Sequence, residues 1–201
     1  MKEFVIATNN NKKLGEIQRI LEPLGIRAVT AKEKGVDLGD VVEDGSTFME
    51  NAYIKAKSAY DKCGLPVVAD DSGLCVDALG GRPGIYSARY AGDHSPYPVK
   101  IASLLAELQD VPDEQRTAHF TCAVCCILSD DDIIRVEGRC EGSIAHAPSG
   151  DGGFGYDPVF MVNGKSFAAL CDGEKDSLSH RGDALRQLYR ELSKRREEQK
   201  C

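Results

Sequence analysis

The sequence predicts an α/β fold, and two patterns lead to this prediction. Short apolar runs at residues 4–8, 26–29 and 67–69 are typical of buried strands, and helical patterns of apolar residues lie between them. Further along, apolar side chains recur at every second position of residues 118–128 and 134–144, as in an antiparallel hairpin with one face in water. A chain of 201 residues can hold one core, or two lobes, but not several independent domains.

Helix boundaries can be placed from the same patterns. The first helix is expected to end at residues 23–25, where proline and glycine occur. Thr47 and Glu50 match the capping box that begins a helix, which makes Glu50 a cap rather than a ligand. Further helices are predicted to begin at Pro96 and at residues 179–182.

Two segments near the carboxyl terminus are expected to be irregular. Glu174 and Lys175 are placed in a polar loop. Residues 194–201 form a charged tail that we expect to fray.

Two consecutive aspartates, Asp70 and Asp71, follow the predicted strand at residues 67–69. Ligands of open α/β sheets bind beyond the carboxyl ends of strands. Neighbouring strand residues point to opposite sides, so the two carboxylates are expected to have different roles. Aspartate followed by serine and glycine is also ordinary turn chemistry, and this motif alone leaves both interpretations open.

A polar turn at residues 8–13 joins the first strand to the first helix. It consists of Thr8, Asn9, Asn10, Asn11, Lys12 and Lys13. Free backbone N–H groups and the helix dipole at such a helix start favour an anion. Asparagine and threonine also cap helices without any ligand, so a solvated capping turn is an equal alternative.

A glycine-dense loop at residues 150–158 contains Phe154, Tyr156 and Asp157. Two aromatic rings exposed between glycines could form a stacking shelf for a flat ring, with Asp157 as an acceptor at its edge. The alternative is a turn whose aromatic rings fold into the core. Three aspartates at residues 130–132 are interpreted as the solvated turn of the hairpin.

Composition and charge argue against several classes of function. The net charge of −7 argues against broad binding to nucleic-acid backbones, although a local lysine cluster can still hold a small anion. No apolar run approaches the roughly 20 residues that cross a bilayer. Residues 1–6 lack the apolar segment and cleavage site of a signal peptide. We therefore expect a cytoplasmic protein with no membrane partner and no nucleic-acid polymer as partner.

Eight cysteines raise the alternative of a zinc or thiol redox protein. Cys122 and Cys125 have the Cys-x-x-Cys spacing, but the strand pattern places them on opposite faces, and no second pair completes a metal site. We interpret the cysteines as small buried hydrophobes with reduced thiols, which fit a cytoplasmic location.

Six motifs occur in order along nearly the whole chain. They are Thr8-x-Asn10-x-x-Lys13, Thr47-Phe-x-Glu50-Asn51-Ala52, Ala69-Asp70-Asp71-Ser72-Gly73-Leu74, Gly80-Gly81-x-Pro83-Gly84-Ile85-Tyr86-Ser87-Ala88-Arg89-Tyr90, Phe154-Gly155-Tyr156-Asp157-Pro158 and Ser179-His180-Arg181-Gly182. Together these motifs resemble the Ham1-like family of non-canonical purine nucleoside triphosphate pyrophosphatases. Asn9 stands where many members have glycine, a conservative change because asparagine tolerates left-handed backbone.

The resemblance implies an elongated mixed β-sheet flanked by helices, with two lobes around a central nucleotide-binding cleft, in one domain spanning residues 1–201. It also implies a homodimer, and hydrolysis of the small-molecule nucleoside triphosphates ITP, dITP and XTP to monophosphate and pyrophosphate with Mg²⁺. The implied catalytic residues are Asp71, as the general base, and Lys13, while Glu43 and Asp71 place the metal. The implied substrate-binding residues are Thr8, Asn9, Asn10, Asn11, Lys12, Lys13, Lys55, Ser72, Phe154, Gly155, Tyr156, Asp157, Lys175, His180 and Arg181. Of these, Phe154 is expected to stack on the base.

A noncatalytic nucleotide sensor on the same scaffold is an alternative from another class. Binding alone would not need a base beside the metal, so Lys13 and the pair Asp70 and Asp71 argue against it. The zinc or redox alternative would need clustered cysteines, and metal analysis of the purified chain would discriminate it.

Overall fold

The computed structural model describes residues 2–39 and 41–198. This part of the chain forms seven strands and five α-helices. The strands are β1 (Lys2–Ile6), β2 (Ile26–Thr30), β3 (Val67–Val76), β4 (Thr117–Ser129), β5 (Asp132–Ile144), β6 (Phe160–Val162) and β7 (Lys165–Ser166). The helices are α1 (Asn11–Leu21), α2 (Phe48–Cys63), α3 (Tyr97–Glu107), α4 (Asp172–Leu178) and α5 (His180–Glu198).

The strands form a single sheet in the order β2-β1-β3-β4-β5-β6-β7. Strand β1 runs parallel to β2 and β3, whereas β6 runs antiparallel to β5 and β7. The sheet is therefore mixed, and the predicted α/β class is confirmed. Asp130 and Asp131 form the turn between β4 and β5, as expected, while Asp132 already belongs to β5.

The described residues divide into two compact units. Unit 1 contains those within residues 1–71, 122–138 and 180–201, and unit 2 contains residues 72–121 and 139–179. Strands β3, β4 and β5 contribute residues to both units. The cleft implied by the sequence resemblance stays a prediction.

In unit 1, the two faces of the sheet pack against different helices. Val68 and Cys122 lie in a core cluster with residues of α1 and α5. Val67 and Cys125 lie in a second cluster with residues of α2. The expectation that Cys122 and Cys125 face opposite sides is therefore confirmed. Burial raises the pKa of the Cys125 thiol to about 11, and a thiol that stays protonated is a poor metal ligand or redox nucleophile.

In unit 2, helix α3 packs on an aromatic core. Leu104 and Leu108 lie in one cluster with Phe120, Phe160 and Phe167. The Phe160 ring contacts the other two edge to face, with ring centroids 4.6 Å from Phe120 and 4.9 Å from Phe167. This cluster gives unit 2 its own hydrophobic core.

The expected end of the third strand is wrong. Strand β3 continues to Val76, because Leu74, Cys75 and Val76 are also apolar and buried. Asp70 and Asp71 therefore lie inside the strand and keep its alternation, instead of following its end.

Two expectations for the carboxyl-terminal part are also wrong. Glu174 and Lys175 lie in α4, where the Glu174 carboxylate accepts a hydrogen bond from the Cys171 N–H at 3.1 Å and caps the helix. Residues 194–198 continue α5, because the Arg195 guanidinium donates to Asp132 at 3.0 Å and to Glu191 at 3.2 Å. Residues 199–201 lie outside the described part. Among residues 2–39 and 41–198, no helix is both long enough and apolar enough to cross a membrane.

Candidate active site

The turn between β1 and α1 is built around Asn10. Its side-chain oxygen accepts hydrogen bonds from the N–H groups of Lys12 at 2.9 Å and Lys13 at 3.2 Å, so Asn10 is the N-cap of α1. The Thr8 hydroxyl oxygen accepts from the Asn10 N–H at 3.1 Å. The capping interpretation of Asn10 is confirmed. Asn9, Asn11 and Lys12 are exposed, and the anion-binding role of this turn stays a prediction.

Asp70 and Asp71 point to opposite faces of the sheet, as their strand positions predict. Asp70 contacts side chains of α1 and α5, on the face where Val68 lies. Asp71 contacts side chains of α2, on the face where Ala69 lies. One strand thus supplies a carboxylate to each face.

The Asp70 carboxylate is the centre of a buried ion-pair network. Its Oδ2 atom accepts from Lys13 Nζ at 2.9 Å and from Arg181 at 3.1 Å (Nη2) and 3.3 Å (Nε). The guanidinium of Arg181 also donates, through Nη1, to the buried carboxylate of Glu16. Burial alone would raise the pKa of Asp70, but the charges of Lys13 and Arg181 outweigh burial and hold that pKa well below its usual range. Asp70 therefore remains an anion.

The Asp71 carboxylate lies in a different environment. Its Oδ1 atom accepts from Lys55 Nζ at 2.9 Å, and its Oδ2 atom lies 3.4 Å from the amide nitrogen of Asn51. The Asn51 side-chain oxygen in turn accepts from the Gly45 N–H at 2.9 Å. Burial raises the pKa of Asp71, and the charge of Lys55 offsets this only in part, so the pKa lies above its usual value. Asp71 is therefore the better proton acceptor of the two aspartates.

Glu43 reaches the same ammonium group from the segment before α2. Its Oε2 atom accepts from Lys55 Nζ at 2.8 Å, so Glu43 and Asp71 converge on one cation position. Burial alone would lower the pKa of Lys55, but the charges of Asp71, Asp70 and Glu43 outweigh it and raise that pKa. Lys55 is thus a charged, largely buried cation between two carboxylates.

The donor set of Glu43 and Asp71 fits Mg²⁺. Magnesium is usually held by one or two carboxylates together with waters and substrate phosphates, not by an all-protein cage. Residues 2–39 and 41–198 contain no group of three or more metal-ligating side chains. Two carboxylates around one cation position meet this requirement, with the remaining positions left to phosphate and water.

A pocket of about 240 Å³ connects these groups to the turn after β1. It is lined by Thr8, Asn9, Glu43, Lys55 and apolar residues of the 38–41 segment. A larger pocket of about 530 Å³ is lined by Thr8, Asn9 and Asn11 on one side and by residues of the 30–38 segment. The face of α2 that carries Lys55 therefore meets the turn at residues 8–13, because Lys55, Thr8 and Asn9 line the same pocket.

Unit 2 contains a second group of predicted site residues. Asp157 Oδ2 accepts from the Phe154 N–H and from Lys175 Nζ, both at 2.7 Å. Lys175 Nζ lies 4.6 Å from the centroid of the Phe154 ring, a cation–π contact. Gly153 has φ +67°, and a Cβ atom there would collide with the Asp157 carboxylate, so glycine is required. Phe154 is partly exposed, with its ring fixed beside a buried ion pair.

Of the two alternatives for this loop, the structure shows the buried one for Tyr156, whose predicted role in substrate binding is therefore not supported by exposure of its ring. This side chain is buried, packs edge to face on Tyr97 with ring centroids 5.5 Å apart, and donates its hydroxyl to the Ser87 carbonyl oxygen at 3.1 Å. Its position explains the burial, because Gly155 has φ +69° and turns the chain so that Phe154 and Tyr156 diverge. Tyr156 supports the loop from within the core.

The remaining predicted residues are placed as follows. Ser72 is half-buried in β3, and His180 and Arg181 are buried in the first turn of α5. The contact of Arg181 with a base stays a prediction, since the structure shows its guanidinium donating to Asp70 and Glu16. Sequence reasoning missed Glu16 as a partner. The signal was its spacing, because Glu16 follows Lys13 by three residues and therefore lies on the same face of α1.

The fold and these contacts define the class to which the protein belongs: an α/β protein with a helix-capping turn beside a lysine and two carboxylates. Comparison with known proteins gives the family. The sequence profile of the Ham1 family matches residues 4–191. The dITP/XTP pyrophosphatase of Geobacillus kaustophilus is 50% identical over 190 residues, which cover 94% of this chain and 93% of that protein. The dITP/XTP pyrophosphatase of Bacillus subtilis is 45% identical over 194 residues, 96% of this chain and 98% of that protein.

Solved structures agree with the sequence comparison. A HAM1 protein from Coxiella burnetii superposes with a TM-score of 0.87 at 41% identity, covering 96% of this chain and 100% of that one. The Ham1 protein of Staphylococcus aureus superposes with a TM-score of 0.85 at 39% identity and the same coverage. The chain belongs to the Ham1 family.

Proposed function

We propose that this chain hydrolyses the triphosphates of non-canonical purines, dITP, XTP and ITP, to the nucleoside monophosphate and pyrophosphate, with Mg²⁺ as cofactor. The observation that carries the proposal is the unit 1 pocket in which Thr8 and Asn9 of the capping turn meet Glu43 and Lys55. The similarity to proteins named dITP/XTP pyrophosphatases supports the substrate class.

The pocket provides the charge that a polyphosphate needs. The ammonium group of Lys55 lines it, and the amino terminus of α1, with Lys12 and Lys13, begins at the same turn. Backbone N–H groups at a helix start and fixed ammonium groups both stabilise phosphate oxygens. We propose that Thr8, Asn9, Asn10, Asn11, Lys12, Lys13 and Lys55 bind the triphosphate.

We propose that Asp71 acts as the general base. Attack on a phosphoryl group requires that the attacking water lose a proton, and a carboxylate with a raised pKa accepts it more readily than an ordinary one. Lys55 and Asn51 fix the two oxygens of Asp71 from α2, so that the carboxylate is held in one orientation. Asp70, turned to the other face and held by Lys13 and Arg181, cannot take this role.

Glu43 and Asp71 would hold the Mg²⁺ ion. When bound, the metal neutralises charge at the phosphates and orients them. Lys55 Nζ lies between the same two carboxylates in this structure, so its ammonium group would be displaced by a metal held there and would then be a second source of positive charge for the phosphates.

Selection against adenine must depend on position six of the purine. Hypoxanthine and xanthine carry an accepting keto oxygen there, and adenine carries a donating amine. A donor facing this position would leave the amine unsatisfied, at a cost of about 1 to 3 kcal/mol per group. Arg181 is the proposed donor to this keto oxygen, and in this structure its guanidinium donates to Asp70 and Glu16.

We also propose a cytoplasmic location and a homodimer. The first is supported by the cysteines, since the seven within the described residues are thiols rather than disulfides, as reducing compartments favour. The second is supported by the family resemblance of the sequence motifs.

The proposal is tested by measuring kcat/KM for dITP, XTP, ITP, ATP and GTP, each with MgCl₂ and with EDTA. The expected result is turnover of the first three that needs magnesium and is much slower for ATP and GTP. Equal turnover of ATP would overturn the proposed substrate class, and turnover in EDTA would overturn the proposed requirement for Mg²⁺. Tight binding of ITP without any turnover would favour the sensor alternative.

A further inference from the structure

Glu16 is a buried carboxylate that the proposed reaction does not use. It lies on α1, its side chain is 7% exposed, and it accepts from Nη1 of Arg181, whose side chain is 2% exposed. A buried carboxylate is costly unless it balances a charge or fixes a geometry. Glu16 is therefore a group whose role needs an explanation.

The network around Glu16 contains two cations and two anions. Lys13 and Arg181 share Oδ2 of Asp70, at 2.9 Å for Lys13 and at 3.1 Å for the nearer nitrogen of Arg181. Asp70 carries one negative charge and contacts both cations, and Glu16 adds a second negative charge beside Arg181. Asp70 accepts from Nε and Nη2 of Arg181, and Glu16 accepts from Nη1. The two carboxylates thus match the two positive charges of Lys13 and Arg181.

We propose that Glu16 is a positioning residue for Lys13. Glu16 holds Arg181, Arg181 holds Asp70 from α5, and Asp70 holds the ammonium group of Lys13 beside the capping turn of α1. The arrangement is closed, because Lys13 and Glu16 lie one turn apart on the same helix. The inference rests on the proposed function only in that a nucleoside triphosphate is the ligand used to measure it.

The direction in which Glu16→Gln changes triphosphate affinity distinguishes a positioning role from a purely electrostatic one. Removing the negative charge of Glu16 near an anion site would, by Coulomb's law alone, strengthen triphosphate binding. Positioning predicts the opposite result, because Arg181 would then draw Asp70 towards itself and leave Lys13 less fixed. The two mechanisms therefore differ in direction and not only in size.

The test is a double-mutant cycle measured as the dissociation constant of ITP in EDTA, where no turnover is expected. Glu16→Gln should weaken binding about five- to tenfold in the protein with Lys13 and less than about twofold in the Lys13→Ala background. Equal weakening in both backgrounds, or tighter binding in either, would overturn the inference. Glu191→Gln is the matched control, because Glu191 pairs with Lys194 and Arg195 elsewhere on unit 1, and it should leave binding unchanged.

A second readout does not depend on nucleotide binding. After reductive ¹³C-methylation of the lysines, the Lys13 resonance, assigned from Lys13→Arg, should shift in Glu16→Gln and stay in place in Glu191→Gln. An unmoved Lys13 resonance in Glu16→Gln would contradict the inference. If the unmodified protein binds no nucleoside triphosphate, the proposed function fails, and this resonance alone decides the inference. If Glu16→Gln does not fold, Glu16→Asp replaces it as the test. Its side chain keeps the charge but is one methylene shorter, so it should weaken ITP binding and shift the Lys13 resonance in the same directions by smaller amounts.

Discussion

Asp70 and Asp71 are consecutive in strand β3, but their carboxylates bind lysines on opposite faces of the sheet, Lys13 on α1 and Lys55 on α2. Burial acts on both aspartates, and their neighbours decide the outcome: two cations lower the pKa of Asp70, whereas the pKa of Asp71 stays raised. One residue of the pair is thus a permanent anion that holds a network together. Its neighbour contacts Lys55, which lines the pocket, and is the proposed proton acceptor.

Asp71→Asn should abolish most turnover and leave nucleotide binding measurable. The amide keeps the size and one acceptor oxygen for α2 but cannot act as a base, and loss of a general base typically costs about 10²- to 10⁴-fold in kcat. Steady-state kinetics with dITP and a binding titration on the same preparation measure both effects. Asp61→Asn, in an exposed pair on α2, is the control. Unchanged turnover in Asp71→Asn would remove Asp71 from the role of base.

Asp70→Asn should destabilise the fold far more than Asp71→Asn. Removing the Asp70 charge leaves Lys13 and Arg181 without their shared anion in a buried site, and breaking such a pair costs about 3 to 5 kcal/mol. Burial outweighs the charge of Lys55 at Asp71 and leaves its pKa raised, so loss of that charge should destabilise the fold less than loss of the Asp70 charge. Urea unfolding of both variants measures the difference. Equal loss of stability in the two variants would contradict the division of roles.

The stabilisation by Asp70 should depend on pH in one direction. Its pKa in the folded chain lies below the unfolded value of about 3.9, so the ionised carboxylate stabilises fully above that value and less as pH falls through and below it. The difference in unfolding free energy between the unmodified chain and Asp70→Asn should be constant from about pH 5 to 8 and shrink below about pH 4. Metal-free urea titrations at several pH values measure it. If this difference in unfolding free energy grew as the pH fell, the lowered pKa of Asp70 in the folded chain would be contradicted.

Lys13→Ala should weaken triphosphate binding more than monophosphate binding. A hydrogen bond to a charged group contributes about 1.5 to 3 kcal/mol, which corresponds to roughly 10- to 150-fold in affinity. Dissociation constants of ITP and IMP in EDTA measure the effect, with Lys57→Ala, an exposed lysine of α2, as the control. An equal loss for ITP and IMP would place Lys13 away from the outer phosphates.

Phe154→Ala should raise KM for every accepted base by a similar factor. Stacking uses the flat face of a purine and not its edge, so its loss of about 1 to 3 kcal/mol does not depend on the substituents. KM for dITP, XTP and ITP measures it. Tyr156→Phe is the comparison, because Tyr156 is buried and its hydroxyl donates to the Ser87 carbonyl oxygen. An effect limited to one purine would contradict stacking.

Local sequence patterns predicted most of the fold. Alternation along residues 118–128 placed Cys122 and Cys125 on opposite faces, and the capping box at Thr47 predicted the start of α2, because both signals depend on neighbours in sequence. The end of β3 was predicted wrongly, since two carboxylates after three apolar residues suggest a turn. The ion pairs that keep Asp70 and Asp71 inside the strand come from helices distant in sequence.

The candidate site could be predicted only in part, for the same reason. Asn51 and Lys55 lie four residues apart on α2 and so share a face, but only the fold shows that this face meets Asp71 and Glu43. The flanking glycines left both exposure and burial of Tyr156 open, and the positive φ of Gly155 directs that ring into the core. Partners such as Arg181 and Glu16, 165 positions apart, leave no local pattern.

Phosphorus NMR of a dITP solution, followed after the protein and MgCl₂ are added, tests the central claim most directly. The account predicts that the triphosphate resonances are replaced by those of deoxyinosine monophosphate and pyrophosphate, and that EDTA stops the change. Deoxyinosine diphosphate with orthophosphate would show that a different bond is cleaved. An unchanged spectrum from folded, metal-loaded protein would contradict the proposed hydrolysis itself.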